Sequence, residues 1–252
     1  MVTRPKGEAG GLASLIREAG GEALEIPVLE IRDLADLAPF FSVADRLDSF
    51  NWAVFVSRNA VRRAMALIRE RRGSRPWPAQ LRLATVGHGS REELAALGFS
   101  GVLAPAGQAD SEALLALPEL AEVAGTRIAI FRGEGGRKHL GETLAARGAL
   151  VEHAPCYRRA LPAAGAALLD AAWMRGKVDA VTLSSGEGLA NLLQMLGRAG
   201  AQRLAGTAVF VPHRRVAREA AGHGLERVIV AGPGDAQSAA ALVAYFGGAS
   251  YN

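Results

Sequence analysis

The chain has 252 residues, of which 50% are hydrophobic, and it carries a net charge of +4. This length exceeds the roughly 100 to 150 residues of a typical domain, so two domains are expected. No apolar run reaches the roughly 18 residues that cross a bilayer, and the opening MVTRPKGEAG has no signal-peptide pattern. The single cysteine, Cys156, has no disulfide partner. These features predict a cytoplasmic protein rather than a membrane or exported one.

The predicted elements alternate between short apolar strands and amphipathic helices, which is typical of βα units on a parallel sheet. Buried strands are predicted at residues 53–56, 83–86, 127–131, 180–183, 208–211 and 227–230. Helical stripes with apolar residues at i, i+3, i+4 and i+7 are Leu12, Leu15, Ile16, Ala19 and Leu189, Leu192, Leu193, Leu196. Glycines that suit a left-handed residue at a helix end are Gly20, Gly98, Gly148 and Gly224.

The sequence also repeats itself at an offset of about 127 residues. The block from Val2 matches the block from Ala129, and WAVFVSRNA, from Trp52, matches DAVTLSSGE, from Asp179. A third pair consists of LATVGHGSREELAALG and VFVPHRRVAREAAGHG. Three blocks in the same order indicate duplication of a domain-sized α/β unit. We therefore expect two similar halves.

Helix starts indicate where a ligand would bind. Residues 90–93 (SREE) and 184–187 (SSGE) fit the capping box and predict helix N-termini just after strands. Ligands of open α/β sheets bind beyond the carboxyl ends of the strands, where such amides point outward. Two facing halves would present several anion-binding termini to one cleft. A purely structural role of the serines as caps remains an alternative.

Charge and motifs narrow the ligand class. Much of the positive charge is arginine, whose planar guanidinium suits carboxylates and phosphates. Basic residues are not interleaved with aromatics, which are 6% of the chain, so nucleic acid is a weaker expectation than a small anion. The loop RGEGG does not fit GxGxxG, no P-loop is present, and the five histidines lack metal-ligand spacing. We expect no metal and no cofactor.

Several blocks together carry a family resemblance. They are VTRP with IPVLEI, WAVFVSRNAV, VGHGSREELAALG with APAGQADSEALL, IFRGEGGRKHLGETLAARGALVEHAPCY, DAVTLSSGEGLANLL and VFVPHRRVAREAAGHG. In this order and spacing the chain resembles the uroporphyrinogen-III synthase family across nearly its whole length.

The resemblance implies an α/β fold of two similar parallel-sheet, flavodoxin-like domains that exchange the first βα unit. One domain would combine residues 1–30 with 162–252, and the other would span 36–155. Two antiparallel hinge strands, 26–35 and 153–161, would join them, with a cleft between the domains. Proline and polar residues in both hinge segments are compatible with an exposed connector.

The resemblance also implies a reaction, the cyclisation of hydroxymethylbilane to uroporphyrinogen III with inversion of ring D and loss of water. The expected partner is this small polycarboxylate substrate, with no nucleic acid, no membrane and a monomeric protein. A two-lobed protein that binds a small polycarboxylate or tetrapyrrole without catalysis is the main alternative, although such proteins commonly carry an export signal. A nucleotide-dependent α/β enzyme would need a phosphate loop.

Site residues follow from the resemblance and from the predicted junctions. Tyr157 matches the family's tyrosine on the second hinge strand and could donate a proton to the departing hydroxyl; packing of the hinge is the alternative. The expected carboxylate-binding residues are Thr3, Arg4, Ser57, Arg58, Asn59, Gly87, His88, Gly89, Ser90, Arg132, Gly133, Ser184, Ser185, Gly186, His213, Arg214 and Arg215. Arg4 and Arg132 are favoured because they are equivalent in the repeat, whereas Arg91 and Arg137 are expected to be solvated surface charges.

Overall fold

The structure is a computed structural model that describes residues 1–107, 110–163 and 165–247. Its helices are α1 (Gly10–Glu18), α2 (Ala38–Ala44), α3 (Arg58–Arg72), α4 (His88–Ala96), α5 (Ser111–Leu115), α6 (His139–Ala146), α7 (Gly165–Met174), α8 (Gly186–Ala205), α9 (Arg214–Gly222) and α10 (Asp235–Gly247). Its strands are β1 (Glu30–Arg32), β2 (Trp52–Phe55), β3 (Arg82–Thr85), β4 (Arg127–Gly133), β5 (Leu150–Ala160), β6 (Ala180–Thr182), β7 (Ala208–Val211) and β8 (Val228–Val230). No helix in the described ranges is long and apolar enough to cross a membrane.

The chain divides into two compact units. We call Met1–Glu30 with Ala160–Asn252 the terminal unit, and Ile31–Arg159 the central unit. Both combine helices with a parallel sheet, so the α/β class predicted from the alternating pattern is confirmed.

The central unit is built on the sheet β1-β5-β4-β2-β3, in which β5, β4, β2 and β3 are parallel. A further parallel bridge joins Leu103 to Ala84 of β3. Successive side chains of β2 enter different cores: Phe55 packs with Phe40 and Phe131 on one face, while Val54 packs on the other. A sheet buried on both faces needs strands that are apolar at every position, which explains the uninterrupted apolar runs.

The terminal unit contains the parallel sheet β6-β7-β8. Val2 extends it through parallel bridges to Thr182 on one side and Glu25 on the other. In chain order the five segments are arranged 2-1-3-4-5, the order of flavodoxin-like sheets. Phe210 of β7 packs edge-on against Tyr245 of α10, with the ring centroids 5.6 Å apart.

The repeat seen in the sequence is confirmed by this topology. In the repeat, the segment at Val2 matches β4, and β6 matches β2. Val2 pairs with β6 in the terminal unit, and β4 pairs with β2 in the central unit, so the matching segments are neighbours in both sheets. Glu25 then corresponds to β5, and β7 to β3. Gly20 and Gly148, which match in the repeat, both follow helices with positive φ values of 84° and 85°.

Most predicted elements are present, with a few differences in detail. All six predicted strands are found, and the Leu189 stripe faces the core of the terminal unit. The predicted burial is wrong for β8, an edge strand of its sheet, where Val228 and Ile229 are half-buried and Val230 is exposed. The first stripe is wrong at Ala19, which is exposed because α1 ends at Glu18. One glycine interrupts α8 at Gly197, where φ is +60°.

Both predicted capping boxes are wrong. α4 begins one residue after Gly87, so Ser90 lies inside the first turn and is buried instead of capping the helix. In α8 the cap is Ser185, not Ser184, and its Oγ accepts the N–H of Gly188 at 3.1 Å. The first helical residue depends on where the extended backbone of the preceding strand segment ends. Gly87 and Ser185 are still extended, so the helices begin at the residues that follow them.

The paired glycines allow a stability test. Alanine at Gly20 would meet no atom within 4 Å and would suffer only from its left-handed backbone, whereas alanine at Gly148 would also place its Cβ 3.1 Å from the Cβ of Ala124. We expect Gly20→Ala to lower the free energy of unfolding by about 1 to 2 kcal/mol, and Gly148→Ala to lower it further. Urea unfolding of the full chain measures both, and an equal effect would show that the contact with Ala124 relaxes freely.

Candidate active site

The carboxyl ends of the central-unit strands bring together four of the predicted junctions. In the order β5, β4, β2, β3, the strands lead to Tyr157, Arg132, Ser57 and Gly87. Because the strands are parallel, these residues lie along one edge of the sheet, and α3 and α4 begin at the same edge. Helix N-termini provide free amide donors and positive dipole ends there, which favour anions.

A cavity of about 260 Å³ lies at this edge, next to β4 and β5. We call it the β4/β5 cavity. Arg132, Arg137 and Arg159 line it, and its described lining contains no carboxylate. Loop glycines Gly135 and Gly136 form another part of the wall, with φ values of 70° and 79°. The cavity is therefore basic and bounded partly by bare backbone, which suits a carboxylate.

An irregularity in the sheet places Tyr157 at this cavity. Arg132 of β4 pairs with Pro155, but the next residue, Gly133, pairs with Tyr157, so β5 has one extra residue, Cys156. As a result two consecutive residues of β5, Cys156 and Tyr157, are both buried. The Cys156 thiol lies 3.4 Å from the Arg132 carbonyl oxygen and donates to it. Such bulges often redirect a side chain beside a functional site.

The Tyr157 side chain is held from several sides. Its ring covers Gly133, where a Cβ would come within 2.8 Å of two ring carbons. The Arg159 guanidinium lies 5.9 Å from the ring centroid. Its hydroxyl oxygen is 3.0 Å from Oγ of Ser57, which also accepts the N–H of Ala60 at 3.1 Å. The hydroxyl therefore has a protein partner, and Tyr157 is one of the residues that line the cavity.

Arg132 is the cation best placed to meet a ligand. Its Nε donates to the carbonyl oxygen of Gly133 at 3.3 Å, and an Nη atom donates to that of Gly135. No carboxylate in the described ranges forms an ion pair with it. Burial lowers the pKa of its guanidinium, and Tyr157 opposes this effect. An arginine desolvated without a counter-charge gains most from an incoming carboxylate.

The junctions after β2 and β3 form a second, more exposed group. Arg58 lies over Gly89 so closely that a Cβ there would overlap its guanidinium. Its Nη2 is 3.9 Å from Oε2 of Glu92, and the other oxygen of this carboxylate, Oε1, lies 3.1 Å from Nε2 of His88. Asn59 is half-buried in the first turn of α3. Arg58 and His88 thus already share the carboxylate of Glu92, and a side chain at position 89 would displace the Arg58 guanidinium.

In the terminal unit, two predicted binding residues make internal contacts. The Thr3 hydroxyl is buried and donates to the carbonyl oxygen of Thr182 at 2.7 Å. Arg4 forms an ion pair with Asp235 at the start of α10. Arg4 and Arg132 are equivalent in the repeat, yet only Arg4 has a carboxylate partner. The sequence alone did not show this difference, because Asp235 is distant along the chain.

The remaining predicted residues lie at the starts of α8 and α9. At the start of α8, Ser184 is exposed, Ser185 caps the helix and Gly186 is its first residue. At the start of α9, three residues are exposed: His213, Arg214 and Arg215. Arg215 forms an ion pair with Glu219 at 2.5 Å. His213 precedes α9 without a side-chain capping bond.

Sequence reasoning missed His153 and the glycines Gly135 and Gly136 on the cavity wall. The sequence signal for this wall is the glycine run RGEGG after β4, which fits no nucleotide-binding motif. Arg137, expected to be a solvated charge, is exposed and pairs with Glu112, and it also lines the cavity. Within the described ranges, no three His, Cys, Asp or Glu side chains cluster as metal ligands.

His153 gives a pH-dependent prediction. Desolvation, with Arg132 nearby, lowers its pKa below the ordinary value of 6.5. At a pH between the pKa of the folded protein and that of the unfolded chain, the folded protein binds fewer protons at His153. The free energy of unfolding should therefore fall as the pH drops below 6.5, and it should level off below the folded pKa. When the pH is lowered from about 7.5 to about 5.5, we expect the free energy of unfolding to fall less in His153→Gln than in the parent protein. Urea unfolding at both pH values measures this difference. Identical pH dependence would contradict the assignment.

Solved structures of other proteins share this fold. A mutant uroporphyrinogen III synthase from Thermus thermophilus matches over 100% of both chains, with a TM-score of 0.64 and 17% identity. Uroporphyrinogen-III synthetase from Helicobacter pylori matches with a TM-score of 0.60 and 12% identity, over 88% of this chain and 92% of that one. These similarities show the α/β fold with parallel sheets.

Sequence comparison identifies the family. Uroporphyrinogen-III synthase from Salmonella typhimurium is 36% identical over 195 residues, 76% of this chain and 77% of the relative. The Escherichia coli K12 protein of the same name is 31% identical over 196 residues, 78% and 79% of the two chains. The family model described as uroporphyrinogen-III synthase HemD matches residues 11–241. The chain therefore belongs to the uroporphyrinogen-III synthase family.

Proposed function

We propose that this protein is a uroporphyrinogen-III synthase, a lyase of tetrapyrrole biosynthesis that converts hydroxymethylbilane into uroporphyrinogen III with inversion of ring D and loss of water. The observation that carries the proposal, beyond family membership, is the β4/β5 cavity. It combines a tyrosine hydroxyl with an arginine that has no carboxylate partner in the described ranges. These groups match a substrate that carries a departing hydroxyl and eight carboxylates.

We propose that Tyr157 is the acid of the first step. Its O–H bond breaks as the carbon–oxygen bond of the ring A hydroxymethyl group breaks, water leaves, and an azafulvene cation remains. The substituted carbon of ring D attacks this cation, and the spiro intermediate fragments and recloses. The proton released by the final ring closure returns to the phenolate, so the enzyme is regenerated. Such acid catalysis contributes typically 10²- to 10⁴-fold.

The chief task of the protein is to fold the bilane, because the free substrate closes without inversion. Positioning of this kind can lower the activation free energy by roughly 7 to 11 kcal/mol. The β4/β5 cavity, at about 260 Å³, lies below the roughly 300 to 1,000 Å³ of common ligand sites. We propose that it takes only part of the substrate and that helix N-termini hold other carboxylates. Each such contact contributes roughly 0.3 to 1 kcal/mol, so no single one is essential.

We further propose that the two units act as domains, residues 1–30 with 162–252 and residues 36–155, linked by hinge strands 26–35 and 153–161. This proposal is supported by the two points at which the chain passes from one unit to the other. The first, between residues 30 and 31, lies within 26–35, and the second, between residues 159 and 160, lies within 153–161. Two connectors of this kind permit domain motion and a cleft that admits the substrate. The cytoplasmic location and the monomeric state also remain predictions.

The acid role of Tyr157 is tested in a coupled assay that generates hydroxymethylbilane in situ and separates the oxidised uroporphyrin isomers. We expect the parent protein to shift the product from isomer I to isomer III, and Tyr157→Phe to lower kcat for isomer III by about 100-fold or more. Isomer I alone with folded parent protein would favour a binding protein without catalysis. Full activity of Tyr157→Phe would rule out the acid.

The equivalent arginines provide a matched pair for substrate binding. We expect Arg132→Gln to raise KM by about tenfold, because a charge-assisted bond to substrate is lost, while stability changes by less than about 0.5 kcal/mol. Arg4→Gln removes the partner of Asp235 and should lower stability by up to about 1 kcal/mol, with a smaller effect on KM. Equal KM values for the two variants would contradict the distinction drawn from their contacts.

A further inference from the structure

The hydroxyl of Ser57 has two partners that together determine where its proton points. As the cap of α3, its Oγ accepts the N–H of Ala60 at 3.1 Å. The same oxygen lies 3.0 Å from the hydroxyl oxygen of Tyr157. Because an amide can only donate, the Ala60 contact occupies an acceptor position of Ser57 and leaves its proton available for Tyr157.

We propose that Ser57 is a positioning residue that donates its proton to the Tyr157 oxygen and so directs the phenolic proton of Tyr157 toward the β4/β5 cavity. No other acceptor in the described ranges bonds to the Ser57 hydroxyl. If Tyr157 donated to Ser57 instead, the serine proton would have no acceptor among the described residues, and the phenol would present only an oxygen to the substrate. The inference rests on the proposed function, in which Tyr157 protonates the departing hydroxyl.

The surroundings of Tyr157 fix its ring, so the bond to Ser57 determines the direction of the phenolic proton. The ring is fixed by Gly133 beneath it and by the bulge that buries it beside Cys156. A phenolic proton prefers the plane of the ring, so with the ring fixed it has two orientations, one toward Ser57 and one away from it. The serine bond favours the second orientation.

Ser185 shows that capping alone does not require a tyrosine. Its backbone angles, φ −162° and ψ 164°, match those of Ser57, φ −163° and ψ 163°. It accepts the N–H of Gly188 at 3.1 Å, as Ser57 accepts that of Ala60. In the described ranges Ser185 has no bond to a tyrosine. The contact with Tyr157 is therefore additional to the helix cap.

Three substitutions of Ser57 separate capping from proton direction, each made with and without Tyr157→Phe. Ser57→Ala loses both roles, Ser57→Thr keeps both, and Ser57→Asp keeps the cap but can only accept a proton. In the coupled assay we expect kcat for isomer III to fall about tenfold in Ser57→Ala with KM within about twofold. Ser57→Thr should stay within about twofold of the parent, and Ser57→Asp should lose at least about tenfold in kcat although its melting temperature matches the parent.

The Tyr157→Phe background supplies the decisive control. There the same substitutions should change kcat by less than about twofold, because no phenolic proton remains to be directed. Equal losses in both backgrounds, or a Ser57→Asp enzyme as active as the parent, would overturn the inference and leave Ser57 as a cap only. A parent protein that forms isomer I alone would instead overturn the proposed function, so the two failures are distinguishable.

Discussion

The bulge between β4 and β5 is the constraint on which the candidate site depends. One extra residue, Cys156, turns Tyr157 inward against Gly133 and beside Arg132. A regular ladder would place Tyr157 on the opposite face from Cys156, because successive side chains alternate. The Cys156 thiol bonds to the Arg132 carbonyl at this irregular point. Sheet geometry, rather than a flexible loop, therefore fixes the hydroxyl that the proposed chemistry uses.

Duplication produced two similar sheets, but the two copies use equivalent residues differently. Within the described ranges, Arg132 in the central unit is partly desolvated and bonds to the carbonyl oxygens of Gly133 and Gly135, whereas Arg4 in the terminal unit is paired with Asp235. Likewise the Ser57 hydroxyl bonds to Tyr157, whereas the side-chain partner of Ser185 among the described residues is Gly188 of its own helix. These differences are the reason why the proposed acid and the proposed carboxylate-binding arginine are both placed in the central unit.

The site has few strong, specific groups, and this agrees with the proposed reaction. In the proposed site, backbone amides at helix starts and a small number of arginines would each contribute little to the binding of a carboxylate. A substrate that already carries its reactive groups needs mainly to be held in one conformation.

The sequence by itself determined the strands, the repeat and the helix-ending glycines. Apolar runs, the offset between Val2 and Ala129, and the glycines at 20 and 148 all reflect local conformation or periodic burial, which a linear pattern records. Only the tertiary structure decided the contact between Ser57 and Tyr157, which are 100 residues apart, and the pairing of Arg4 with Asp235. It also decided the β4–β5 register. These depend on how separate strands align, and alignment between distant segments is set by packing of the whole sheet rather than by local propensity.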